Sequence, residues 1–311
     1  MDEQAKETQV QETMQSAETS EPQRRGMSKP VYYSLIAIFA AVFILSGIYL
    51  AGYFLETGEA QQDYDALASM YQQATSPSRP SKPATRPSGT VPTEPPTILP
   101  ELQAIYELNQ DLVGYLNFPY SDMRLQYPVM QSQQDEDFYL SHDFYGNESM
   151  AGCPYVPLTC SVFEPSDNVV IYGHNLRTGG MFNKLRKYRE KSFWETHQTF
   201  TFDTLYERHT YQVFAVFKTA AKQYTKDGKP WGYPYHRTNT FTDEAQFNSF
   251  IADIKGAAFN GGGYKGLAFY DTGITPEFGD KLLCLSTCEY TMQDPDGTIN
   301  GRLVIMAVRI D

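Results

Sequence analysis

Cysteine is scarce in this chain: four residues in 311, and no two are spaced as CxxC. A structural zinc site needs such pairs, so none is expected. The five histidines do not fall at metal-ligand spacing with the acids either. Basic residues are short as well, 25 Lys and Arg against 37 Asp and Glu, for a net charge of −12. A chain this acidic is not a general nucleic-acid binder. Long apolar sequence is confined to one uncharged run, Val31 to Leu55. Aromatics are not scarce: Tyr and Phe supply most of a 14 % share, enough for a sizeable core.

Composition divides the chain into four parts. Residues 1–29 are polar, aperiodic and rich in Gln, Glu and Thr, the pattern of a disordered tail. Residues 30–55 are long enough to span a bilayer as a helix at ~1.5 Å per residue. Arg24, Arg25 and Lys29 precede the run, and Glu56 and Glu59 follow it. That asymmetry places the N-terminus in the cytoplasm and the rest outside the cell. A cleaved signal peptide is the competing reading, but its apolar region runs ~7–15 residues and ends at a small-residue site. This run is longer, and the ETGEAQQ that follows is a poor cleavage site. Residues 56–100 are read as an extracellular stalk. A short polar helix over Gln61 to Gln73 precedes a spacer, Ala74 to Pro100, with a proline every few residues. Residues 101–311 form one folded domain.

Within that domain Leu102, Ile105, Tyr106, Leu108, Leu112 and Leu116 recur at near-helical spacing and predict an entering helix. Short β-type runs follow at Gln126 to Met130, Asn168 to Tyr172, Thr199 to Phe202, Tyr211 to Thr219 and Leu267 to Tyr270. A helix is expected over Gly180 to Tyr188. Another is expected after Thr242, with Asp243 and Glu244 in its first turn and an apolar stripe of Phe247, Phe250, Ile251, Ile254 and Ala258. The class is mainly β, a barrel or sandwich with inserted helices.

The chemistry concentrates between Leu282 and Val308. Two β-type runs flank the turn Asp294-Pro295-Asp296-Gly297, which makes them antiparallel neighbours. The first ends in Cys288 and the second opens with Arg302, so the two can meet at one sheet end. Cys284, Ser286 and Cys288 share a strand face. A thiol beside a fixed cation is activated below its usual pKa of about 8.5. Upstream, the apolar strand Asn168 to Tyr172 runs through Gly173 and delivers His174 at its tip, suited to proton transfer. The plainer alternatives are a buried thiol, a solvated histidine and a surface arginine. Cys153 and Cys160, in CPYVPLTC, either close a small loop or remain buried thiols, and Cys284 fills core.

YGHN, then LSTCEY, then GRLVI, in that order, resemble the sortase transpeptidases. DLVGYL, YPVMQ, DFYL, MFNKL, FWETH and YDTG resemble their class B, over about residues 102–310. The resemblance implies an eight-stranded sortase-like β-barrel with N-terminal helices and an inserted helix before the penultimate strand. It implies a membrane-anchored cysteine transpeptidase of the Gram-positive surface, with Cys288 as nucleophile, His174 as proton shuttle and Arg302 as oxyanion clamp. Tyr172, Ser286, Thr287 and Glu289 fall at its substrate-contact positions; Glu289 orients substrate, pairs with Arg302 or is a solvated loop acid. His197 takes a structural place. The implied partners are secreted proteins bearing a C-terminal sorting signal and an amine of the wall peptide or of a pilin lysine. No cofactor or metal is implied. A pilin polymerase, a hydrolase and a non-catalytic stalked binding module are the alternatives. Two departures border the groove: Glu136 stands near the place of an Asn, and GCPY replaces GSIF and is followed by extra residues through Cys160. The loop from Cys288 to Arg302 is also a few residues longer than in class B relatives.

Overall fold

The computed structural model describes residues 28–75, 96–255 and 266–311. The N-terminal tail, most of the proline-rich spacer and Ala258 of the expected stripe lie outside the described residues. The chain divides into two compact units, 1–52 and 53–311.

In the first unit the described residues belong to α1 (Lys29–Thr75). Its apolar side chains, among them Phe39, Phe43 and Leu45, are exposed. Among the described residues it is the one helix long and apolar enough to cross a membrane.

The second unit is built on an eight-stranded sheet. The strands are β1 (Leu112–Asn117), β2 (Gln126–Met130), β3 (Asn168–Tyr172), β4 (Thr199–Thr204), β5 (Thr210–Ala220), β6 (Gly266–Ala268), β7 (Leu282–Gln293) and β8 (Ile299–Arg309). Their order is β2-β1-β4-β5-β8-β7-β3, with β6 paired on β5. All pairs are antiparallel except β3 with β7. The middle of the sheet is apolar on both faces: Leu282 to Leu285 and Leu303 to Ala307 are all buried, which is why LLCL and LVIMA read as unbroken runs. Among the described residues the strand count is as expected, but no ladder closes the barrel. Its edges β2 and β3 are joined through one residue, Tyr155, which bridges Met130 on one side and Tyr172 on the other.

The C-terminal part of α1 docks on this sheet. Thr57, Ala60, Tyr64, Leu67, Ala68 and Tyr71 are buried, a three-and-four spacing that makes one helix face. Tyr71 stacks on Tyr115 at 4.1 Å and donates to Asp203 Oδ2 at 2.7 Å. The residues assigned to a short polar helix of the stalk therefore form a packed face of the domain.

The entering helix is shorter than the leucine spacing suggested. α2 (Pro100–Leu108) stops at Asn109, whose Oδ1 accepts from the Asp111 N–H at 2.9 Å. Leu112 and Leu116 lie instead in β1. The segment after Gly180 is a 3-10 helix, Phe182–Arg189, not an α-helix. Its buried residues Phe182, Leu185 and Tyr188 recur every third position, the period of that helix. α3 (Lys191–Thr196) follows it. α4 (Glu244–Ile254) is capped by Asp243, which accepts from the Gln246 N–H, one residue later than Thr242. The three-residue β6 separates α4 from the penultimate strand.

Burial pushes the Asp203 carboxyl above the usual carboxylate range, and the Tyr71 hydroxyl pulls it back. Removing that donor in Tyr71→Phe leaves a buried acceptor unsatisfied. The variant is expected to lose about 1–3 kcal/mol of stability, read by urea unfolding of the full chain in detergent. Unchanged stability would show that the hydroxyl contributes nothing.

Candidate active site

The parallel register of β3 on β7 places the site. Tyr172 faces Ser286 in the ladder, and two further bonds carry the pairing past the strand end. The Gly173 N–H donates to Ser286 O at 3.1 Å, and Thr287 Oγ1 donates to Gly173 O at 2.7 Å. One step on, the chain delivers His174 to the cleft that Cys288 also lines. Asn175 Nδ2 locks this end by donating to Cys288 O at 2.8 Å. Gly173 is required by close approach: a Cβ there would lie 2.7 Å from the Phe182 ring.

On the other side of β7, Cys288 pairs directly with Arg302 of β8. The turn between them is as expected, with Gly297 at φ +82° and Asp294 N–H bonded to Thr298 O. β8 begins three residues before Arg302, at Ile299, so the arginine is held inside a strand. Its Nη1 donates to Asn300 Oδ1 and Gly301 O, both at 2.9 Å. Among the described residues it forms no ion pair, so its charge is not neutralised by a carboxylate.

His174, Cys288 and Arg302 line one cleft of about 630 Å³. Tyr172, Ser286 and Thr287 line it too, whereas Glu289 does not. Cys288 is partly exposed, while Cys153, Cys160 and Cys284 are buried free thiols. Burial pushes the pKa of all three upward. Cys153 Sγ and Cys160 Sγ turn to different carbonyls, those of Pro128 and Asn168. The imidazole of His174 bonds Leu140 O through Nε2 at 2.7 Å. A carbonyl can only accept, so Nε2 carries a proton and Nδ1 holds the lone pair of the neutral ring.

The expected role of Glu289 needs correction. It neither lines the cleft nor meets Arg302; its carboxylate is buried and bonds Arg189 Nη2 at 2.6 Å and Thr291. His197 does sit in a structural place, stacked on Phe193 at 3.9 Å with Nε2 against Asp122. With Lys187 it holds the Asp122 carboxyl down to about 2.

Three cleft residues had no clear sequence signal. Tyr235 bonds Ser286 Oγ through its hydroxyl at 2.7 Å. Beside it, burial and then Arg237 and Arg302 push the pKa of His236 below the usual imidazole value. Both come from the irregular segment after β5, where no periodicity marks them. Leu140 contributes its carbonyl, which no side-chain pattern reveals. Among the described residues no cluster of His, Cys, Asp and Glu could hold a metal ion.

A partly exposed thiol, a fixed guanidinium and a histidine with one free ring nitrogen, gathered in one cleft, define the class: a thiol site suited to acyl transfer. The chain belongs to the sortase family, whose sortase-domain model matches residues 122–310. Its relatives place it in class B. It is 29 % identical to sortase B of Listeria monocytogenes over 205 residues, 66 % of this chain and 72 % of that protein. It is 24 % identical to sortase B of Staphylococcus aureus over 270 residues, 87 % of this chain and 93 % of that one. The S. aureus sortase B–substrate complex has a similar fold, with a TM-score of 0.63 at 23 % identity over 83 % of this chain and 99 % of that one. Sortase B from L. monocytogenes gives 0.51 at 27 % identity over 67 % of this chain and 99 % of that one. The protein is a cysteine transpeptidase of the type that anchors surface proteins.

Burial alone raises the pKa of Glu289, but Thr291 and Arg189 outweigh it and hold the carboxyl below its usual range. A depressed folded pKa contributes stability above the unfolded value of about 4.3, and that contribution is lost as pH falls through the folded value. Arg189→Gln removes part of the depression. Its acid unfolding midpoint is therefore expected at higher pH than the parent's, with about 2 kcal/mol lost at neutral pH. Coincident acid unfolding curves would refute the pairing.

Proposed function

We propose that Cys288 is the nucleophile, His174 the proton shuttle and Arg302 the oxyanion clamp of this transpeptidase. The observation that carries the proposal is their convergence on one cleft from segments far apart in the chain. Cys288 Sγ, as thiolate, attacks a threonine carbonyl carbon in a C-terminal sorting signal. The resulting oxyanion is stabilised by the guanidinium of Arg302, a permanent cation with no carboxylate partner among the described residues. The C–N bond to the following residue then breaks, and imidazolium His174 gives its proton to the departing amine. A thioester remains on Cys288. An amine of the wall peptide attacks that thioester, His174 takes the amine's proton, and the thiolate leaves. Tyr172, Ser286 and Thr287 are the proposed groove contacts. The substrates are secreted proteins bearing the sorting signal. The apolar part of α1 anchors the enzyme, with the N-terminus in the cytoplasm and the domain outside, on the strength of Arg24, Arg25 and Lys29 before it.

The test is cleavage of a sorting-peptide library by the full chain in detergent micelles, with and without an added peptide amine. Amide product with amine present supports the transpeptidase. Free acid regardless of amine would indicate a hydrolase, and transfer only to a lysine side chain a pilin polymerase. Cys288→Ala is expected to abolish turnover with the fold retained. Arg302→Lys is expected to lower kcat by roughly 10²–10³-fold, the scale for losing one oxyanion donor. Turnover surviving in Cys288→Ala would overturn the assignment. No turnover in the parent, together with no selective thiol labelling at Cys288, would favour a binding module.

A further inference from the structure

We propose that Tyr64 of α1, acting through Gly152, is a positioning residue for His174. The proposal rests on the assignment of His174 as proton shuttle.

The contacts form an unbroken series. His174 Nε2–H donates to Leu140 O at 2.7 Å, so the orientation and tautomer of the ring depend on where that carbonyl sits. Leu140 ends a one-turn 3-10 helix, Phe138–Leu140. Gly152 packs against this turn and the imidazole together. A Cβ at Gly152 would lie 2.7 Å from Tyr139 O, 2.9 Å from Leu140 O and 3.0 Å from His174 Cδ2. The backbone there has φ +60°, which glycine tolerates and other residues resist. The neighbouring Cys153 N–H donates to Tyr139 O at 2.9 Å, fastening the two segments.

Gly152 is in turn held from α1. Tyr64 is 1 % exposed and donates its hydroxyl to Gly152 O at 2.7 Å. Burial raises its pKa far above the ordinary phenol value, so the donor proton stays in place. Two helical turns earlier, Glu56 Oε1 accepts from the Met150 N–H at 2.7 Å. The helix thus grips the 150–152 turn at both ends, and the turn backs the carbonyl that orients the imidazole. A tyrosine serving only to dock the helix would not need to end on this turn. Tyr71 shows the contrast: it is equally a buried helix tyrosine, but its hydroxyl goes to Asp203, away from the cleft.

The experiment compares Tyr64→Phe, Gly152→Ala and Tyr71→Phe in the full chain. Turnover is measured on a cleaved sorting peptide, and the ring nitrogens of His174 are read by ¹⁵N NMR. Only five histidines need resolving, and His174→Gln assigns the signal. Tyr64→Phe is expected to lower kcat by about ten-fold and Gly152→Ala by about 100-fold, the scale of a ~1 Å misplacement. KM is expected to stay unchanged, and the His174 signal to move from the Nε2–H tautomer toward a mixture. Tyr71→Phe should leave both the kcat and the tautomer as in the parent. The proposal is overturned if Tyr64→Phe keeps the parent's kcat and tautomer, or if Tyr71→Phe reproduces its effects. Should Gly152→Ala fail to fold, Tyr64→Phe decides alone. Should the parent cleave no peptide, the functional assignment fails, while the histidine spectrum still tests the positioning.

Discussion

The site depends on one pairing, the parallel ladder of β3 on β7, in a sheet that is otherwise antiparallel. Its last rungs, Gly173 N–H to Ser286 O and the Thr287 hydroxyl to Gly173 O, fix how far the His174 segment runs beside Cys288. A slip of one residue would turn every side chain of β3 to the opposite face. It would also separate the imidazole from the sulfur. The buried runs NVVI and LLCL oppose such a slip, because each side chain already fills core on its face. The register that arranges the chemistry is therefore enforced by apolar packing at a distance from it.

Around that register the polar groups divide by what they leave free. Asn175, Thr287, Ser286 and Glu289 are each bound to neighbours and hold the strand end in place. Glu289 is the sharpest case, since a buried carboxylate is tolerated only when paired and hydrogen-bonded. By bonding Arg189 and Thr291, Glu289 is unable to neutralise Arg302. The two arginines thus have different work: one is spent within the fold, and the other keeps its field for the cleft.

Much of this was legible in the sequence, and what was not has physical causes. Cys288 and Arg302 could be placed at one sheet end because the Asp294–Gly297 turn makes their strands antiparallel neighbours; their direct pairing depends on a register irregularity between Glu289 and Gln293 that the turn does not reveal. His174 could be put at a strand tip because Gly173 follows an apolar run. The family motifs gave the eight-stranded sheet, though not that it stays open between β2 and β3. β1 was hidden because Leu112 and Leu116 continue the i, i+4 spacing of α2, and only the Asn109 turn separates them. The docked face of α1 was masked by its composition: Thr57, Ala60, Tyr64, Leu67 and Tyr71 keep a heptad-like spacing within a segment rich in Gln, Glu and Asp. Weighing position above polarity would have found it. Glu289 was misplaced because its partner, Arg189, lies 100 residues upstream and only the fold brings the two together. Tyr235 and His236 come from an irregular segment whose path is set by tertiary contacts alone.

The closure of the barrel and the location of the cleft are one structural fact. An open sheet must satisfy or cover the backbone groups of its edge strands. Here Tyr155 does so for both, exchanging N–H···O bonds with Tyr172 at 3.0 and 2.8 Å, while its neighbours Pro154 and Val156 bond Met130. A full ladder would have carried β3 onward as a covered strand. A single bridging residue satisfies the edge at Tyr172, and beyond Gly173 the backbone turns to a new partner, His174 O accepting from the Phe182 N–H at 2.8 Å. The Tyr155 ring lies 5.6 Å from that of Tyr172, and its hydroxyl bonds Asp137, so the residue that joins the edges also lines the cleft. Incomplete closure leaves a cleft there that Tyr155, Tyr172, His174 and Cys288 line together.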